Sequence, residues 1–167
     1  MKKLLFFLFL ALMSTAVFSQ SDYKTAIGAR FGSTYYDVLS FSYKNFVSNQ
    51  GAVEFNVGFG SRKYRGYGRA STLAAALAYQ HHFDFEGADG LKWFIGAGGT
   101  LFNTFGDEDN YTGFGLGVFP TAGLDFKFSG APINLTLDLR PTFHIISPSY
   151  YNAVYGNLGF AIRYTLR

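Results

Sequence analysis

The sequence predicts an all-β chain, an eight-stranded antiparallel up-and-down barrel that crosses a membrane. Three observations predict it. Apolar and non-apolar residues alternate with a period of two along eight segments. The non-apolar face of those segments is mostly Gly, Ala, Ser and Thr with scattered charges, which makes a poor water-facing surface but suits a narrow, crowded lumen. Aromatic residues make up 20% of the chain and charged residues only 15%, against about 25% charge in an ordinary globular domain. Yet beyond the first twenty residues no segment approaches the ~18 uninterrupted apolar residues of a membrane helix. A soluble lipocalin-like barrel would need the large apolar side chains inside and a hydrophilic exterior, and this pattern does not provide one.

The elements follow in order. The first strand covers 24–36, with Ile27, Ala29, Phe31 and Tyr35 opposite Gly28, Arg30, Gly32 and Thr34. The second covers 38–46, with Leu39, Phe41 and Tyr43 opposite Ser40, Ser42 and Lys44. The third, 52–61, sets Val53, Phe55, Val57 and Phe59 against Glu54, Asn56, Gly58 and Gly60. The fourth, 71–83, alternates Leu73, Leu77 and Tyr79 with Ala74, Ala78 and Gln80. Trp93, Ile95 and Leu101 mark the apolar side of the fifth, 91–103. The sixth, 113–128, carries Phe114, Leu116, Val118 and Leu124 against Gly115, Gly117 and Asp125. The seventh, 133–146, sets Leu135, Leu137 and Leu139 against Asn134, Asp138 and Arg140. Leu158, Phe160, Ile162 and Tyr164 line one side of the eighth, 155–166. Segments of this length exceed the usual soluble strand of about 5 or 6 residues and fit the ~9–11 residues of a tilted crossing. Connections such as Ser48-Asn49-Gln50-Gly51 and Ser129-Gly130-Ala131-Pro132 carry turn chemistry.

The chain divides into a signal peptide, 1–19, and one barrel domain, 20–167. Lys2 and Lys3 form a positive n-region and Leu4 to Met13 an h-region too short to span a bilayer, with Val17 and Ser19 as the small residues of a cleavage site. Removing Lys2 and Lys3 takes Lys+Arg from 14 to 12 against 11 Asp+Glu, so the net charge falls from +3 to +1 and argues against a nucleic-acid partner. The absence of cysteine excludes disulfides, a thiolate metal site and a thiol nucleophile. His81 and His82 point to opposite faces of one strand, and Asp107-Glu108-Asp109-Asn110 lacks EF-hand spacing, so no metal or other cofactor is expected.

With both termini periplasmic, odd strands run outward. Tyr43, Tyr79, Trp93, Phe126, Phe128 and Tyr164 then form one aromatic girdle, and Tyr35, Tyr36, Tyr111, Tyr150, Tyr151 and Tyr155 a second at the opposite rim. By parity the lumen holds Arg30, Lys44, Glu54, Asp138, Arg140 and Arg163, expected to neutralise one another in a plugged interior, with Lys44 directly across from Glu54 as its partner. Eight strands leave little room beyond such side chains.

Eight strands, a signal peptide and this alternation resemble the small bacterial outer-membrane barrels of the OmpA/OmpX-like type. In the last strand, Asn157, Gly159, Ile162 and Tyr164 resemble the C-terminal signal read by the barrel-assembly machinery, although the chain continues through Thr165-Leu166-Arg167 instead of stopping on an aromatic. The resemblance implies a monomer in the bacterial outer membrane. Its partners would be membrane lipid and lipopolysaccharide, and the assembly machinery during biogenesis.

Two further features carry alternatives. Pro120 and Pro141 interrupt strands six and seven at facing positions, where proline removes ladder donors. The plain reading is a bulge; the functional one, resembling PagP-like palmitoyltransferases, is lateral access for a lipid. In a lipid-modifying enzyme His144, Ser147, Ser149 and Asp107 could approach one another at the rim, but no motif fixes that geometry. Arg62, Lys63, Arg65 and Arg69 form a basic loop suited to lipopolysaccharide phosphates. The expected function is thus a non-enzymatic membrane scaffold or surface-interaction protein. A narrow porin-like channel and a lipid-modifying enzyme are the rival readings.

Overall fold

A computed structural model describes residues 23–167 apart from 35, 65–67, 107–111, 149–150 and 167. The proposed signal peptide lies outside the described residues. The strands are β1 (Thr25–Gly32), β2 (Leu39–Phe46), β3 (Gly51–Tyr64), β4 (Gly68–Asp84), β5 (Leu91–Gly106), β6 (Gly113–Lys127), β7 (Ile133–Leu139), β8 (Thr142–Ile146), β9 (Val154–Tyr155) and β10 (Leu158–Leu166). All pairings are antiparallel: β1 to β6 each pair with the next strand, β6 pairs with both β7 and β8, β8 with β9 and β7 with β10, and β1 pairs with β10, so the sheet closes on itself.

These ten segments make eight walls. Against β6 the register is unchanged from Ala122↔Leu139 to Val118↔Phe143, so β7 and β8 are one wall interrupted at Arg140 and Pro141. Leu139↔Leu158 and Thr142↔Tyr155 likewise make β9 and β10 one wall interrupted at Gly156 and Asn157. The sequence pattern leads one to expect unbroken strands there. Pro141 has no N–H to donate, which breaks the ladder. The first wall also stops earlier than expected, at Gly32, and the chain turns through Thr34 and Tyr36 into the lumen.

The barrel is inside out relative to a soluble protein. On β3, Phe55, Val57 and Phe59 are exposed while Glu54 and Asn56 are buried; on β10, Leu158, Phe160, Ile162 and Tyr164 are exposed while Arg163 is buried. Glycine on the inner face makes room for rings. Phe94, Phe102 and Phe119 each lie against their direct cross-strand partner, Gly123, Gly115 and Gly98. A Cβ on Gly115 would stand 2.1 Å from the Phe102 ring.

Candidate functional site

The lumen gathers the buried charge. Arg30 (β1), Glu54 (β3), Asp138 (β7), Arg140 and Arg163 (β10) meet at mid-height, each at most 2% exposed. Arg30 donates to both Asp138 oxygens, from Nε at 3.1 Å and Nη2 at 2.7 Å, and pairs with Asp37. Arg140 bridges Glu54 at 2.7 Å and Asp138 at 2.9 Å. Arg163 lies 3.0 Å from Glu54 and donates to Ser42 at 2.9 Å and Thr136 at 2.7 Å. Glu54 also accepts from Gln80 at 2.7 Å and Asn56 at 2.9 Å. A buried carboxylate is tolerated only when its lone pairs are filled this way.

Lys44 requires a correction. It sits directly across from Glu54 in the β2–β3 register, but its ammonium pairs with Asp125 of β6 instead. Glu54 is already saturated by two guanidiniums and two amides, while closure of the barrel brings Asp125 across the lumen. Lys44 also lies 2.9 Å from His82 Nε2 and over the rings of Phe46 and Phe94. Tyr23, just before β1, caps this cluster by donating to Asp125 at 3.3 Å, and burial with the nearby Asp125 charge holds its hydroxyl well above the usual range. Four cations (Arg30, Lys44, Arg140, Arg163) thus face four carboxylates (Asp37, Glu54, Asp125, Asp138) among the described residues. Asp125 was legible as inward by parity; Asp37, in the β1–β2 turn, has no strand period to reveal it.

A double-mutant cycle checks the new partner. Lys44→Met with Asp125→Leu should give a coupling energy of about 1.5–3 kcal/mol, and Lys44→Met with Glu54→Leu a markedly smaller one. Urea unfolding in vesicles reads both. Equal couplings would restore Glu54 as the partner.

The end of the barrel opposite the termini is closed by rings. Tyr36 stacks on Phe102 at 5.0 Å, and Phe102 on Tyr151 at 4.9 Å. His144 stands edge-on to Tyr36, Phe102 and Tyr151, and its Nδ1–H donates to the Asn152 carbonyl at 2.8 Å. The Tyr151 hydroxyl meets Thr104 Oγ1 at 2.8 Å. Burial pushes the Tyr36 hydroxyl up to about 12, so it stays neutral. Tyr36 and Tyr151 therefore plug the mouth instead of forming a lipid-facing girdle there; Tyr35, Tyr111 and Tyr150 lie outside the described residues. At the terminus-bearing end Tyr43, Tyr79, Trp93 and Tyr164 do face outward.

The remaining candidates are placed as follows. Pro120 and Pro141 face each other in the interrupted β6 ladder, Pro120 exposed and Pro141 half-buried. In the basic loop the backbone sets Lys63 opposite Arg69 and Arg62 opposite Ala70; Arg65 lies outside the described residues. Ser149 and Asp107, suggested beside His144 and Ser147, also lie outside them. Asn157 accepts from the Ser33 N–H at 3.1 Å and donates to Asp37 at 3.1 Å, and Gly159 leaves the space that the Arg30 guanidinium fills. Ile162 and Tyr164 face outward. Among the described residues no group of three or more His, Cys, Asp or Glu could hold a metal.

A closed eight-stranded antiparallel wall, apolar outside and ion-paired inside, defines a small β-barrel of the transmembrane type. No family model matches the chain, and no curated protein matches it. Solved structures share its fold. The N-terminal β-barrel domain of Pseudomonas aeruginosa OprF is 17% identical, with a TM-score of 0.54 over 87% of this chain and 100% of that one. Ail, the attachment invasion locus protein of Yersinia pestis, is 12% identical with a TM-score of 0.52 over 87% and 100%. Neisserial surface protein A is 15% identical with a TM-score of 0.50 over 85% and 94%.

Proposed function

We propose that this chain is a non-enzymatic integral protein of the bacterial outer membrane, a scaffold or surface-interaction barrel with a plugged lumen. One observation carries the reading: Leu, Val, Ile and Phe are exposed all round the wall while the lumen charges are buried and paired. Such a wall needs lipid around it. Both termini then face the periplasm, and the Tyr151 plug faces outward. The surface-interaction half draws on two structural relatives whose names speak of a surface protein and of attachment. Lys63 opposite Arg69, above the apolar band, suits lipopolysaccharide phosphates. Recognition of the last strand by the assembly machinery is supported by the outward-facing side chains of Ile162 and Tyr164.

Outer-membrane fractionation and heat-modifiable migration are the expected result, with no stable conductance in planar bilayers. A long-lived conductance would favour the narrow channel instead. The lateral-access reading rests on the facing prolines. Unchanged lipid A and phospholipid acylation in cells with and without the gene would end it.

A further inference from the structure

Both strands of the hairpin that carries Tyr151 lose their ladder at the same height. The Arg140 N–H donates to the Asn157 carbonyl at 2.7 Å, so the main-chain groups of Arg140 point at the last wall. By alternation those of Pro141 point at β6, where Pro120 stands opposite. An antiparallel pair in that position exchanges two N–H···O bonds, and neither proline has an N–H to give. On the other strand the break falls at Gly156, where an added Cβ would meet nothing within 4 Å. Below this line β7 is paired continuously with β6 and β10. Above it β8 meets β6 through Phe143, His144 and Ile146 alone among the described residues, with an irregularity at Leu116/Gly117. It meets β9 through Thr142 and Phe143.

Side-chain contacts add to this pairing in holding the hairpin over the mouth. Tyr151 stacks on Phe102 and bonds to Thr104, and His144 bonds to Asn152. Directly beneath lies a cavity of about 20 Å³, room for one water molecule, lined by Asn56, Thr100, Phe119, Arg140, Thr142 and Asn157 among others. Its polar lining includes Asn56 Oδ1, which is buried without a protein hydrogen-bond partner.

We propose that β8 and β9 form a flap, hinged at Pro120, Pro141 and Gly156 and latched by Tyr151, that opens the outer half of the lumen to water and small polar solutes. The ion-paired core below stays shut, so opening exposes a blind recess and not a pore. Unequal strand pairing across the line sets the motion: the lower wall is a continuous ladder on both sides, and the upper hairpin has an irregular pairing to β6 with Tyr151 as its latch.

The cysteine-free chain allows a direct test, because Thr100→Cys places one thiol in the recess. A small charged methanethiosulfonate is added to the refolded barrel in lipid vesicles, and compact heat-modifiable migration verifies that each variant is folded. Adding Tyr151→Ala should raise the modification rate at least tenfold, and Tyr151→Phe, which keeps the ring and removes the hydroxyl with its bond to Thr104, by a smaller factor. Pro120→Ala with Pro141→Ala restores two donors and should slow modification at least threefold. Equal rates in the folded Tyr151 variants and the parent would overturn the flap, as would modification of the parent no faster than its global unfolding. The sidedness rests on the membrane reading, which fractionation tests separately.

Discussion

Glu54→Ala lowers the unfolding free energy of the barrel by about 3–5 kcal/mol, the range for breaking a buried ion pair by removing one partner. The carboxylate is fully buried and is shared by Arg140 at 2.7 Å and Arg163 at 3.0 Å. Its loss leaves two guanidiniums facing each other in a low-dielectric interior, with Gln80 and Asn56 stripped of their acceptor. Asp138 retains Arg140 but does not reach Arg163, so the network cannot simply re-pair. Glu54→Gln keeps the shape and part of the hydrogen bonding and should lose less. Removing the whole cluster together for apolar residues of similar volume should cost less than Glu54→Ala alone, since the penalty lies in the orphaned charges. Urea titration of refolded protein in vesicles decides it. A change below about 1 kcal/mol for Glu54→Ala would mean that water reaches the site and screens it.

Gly28→Ala is the second large effect. Gly28 faces Arg163 across the β1–β10 seam, and a Cβ there would stand 2.0 Å from the Ile162 carbonyl oxygen and 2.6 Å from the Arg163 Cα. Both are main-chain atoms, so no rotamer change relieves the clash. The seam must part, and it is the one contact that turns a meandering sheet into a barrel. We expect a loss of about 3 kcal/mol or more, at the upper end of overpacking effects, with most of the protein failing to give the compact heat-modifiable band. Gly130→Ala, in a turn where an added Cβ meets nothing within 4 Å, is the matched control and should behave as the parent. A Gly28→Ala barrel as stable as the control would show that the seam has slack.

The wall residues were legible along the chain because a strand has a period of two and a membrane barrel reverses the usual sense of it. Val53, Phe55, Val57 and Phe59 on one side and Glu54, Asn56, Gly58 and Gly60 on the other already assign the faces, and the short turn at Ser48 to Gly51 sets Lys44 opposite Glu54. What parity does not contain is who reaches whom across the lumen. Lys44 finds Asp125 and not its neighbour Glu54, because closure brings β6 over β2 and because guanidiniums from β10 and the β7–β8 junction claim Glu54 first. The far-end tyrosines depart from the sequence pattern for a related reason. Tyr36 and Tyr151 sit in turns, where alternation no longer applies, and the chain folds them inward onto Phe102.

The local pattern of this chain was enough to specify strands, faces, the direct cross-strand neighbours near short turns, and a barrel turned inside out. Those follow from backbone geometry and from the free energy of apolar side chains, and both are readable a few residues at a time. The ion-pair partners, the aromatic plug and the space that Gly28 and Gly159 must leave empty depend on atoms far apart in sequence, 81 residues for Lys44 and Asp125 and 108 for Arg30 and Asp138. Their distances become defined when β1 meets β10 and the sheet closes, and long-range electrostatics and packing act on distances, not on sequence order.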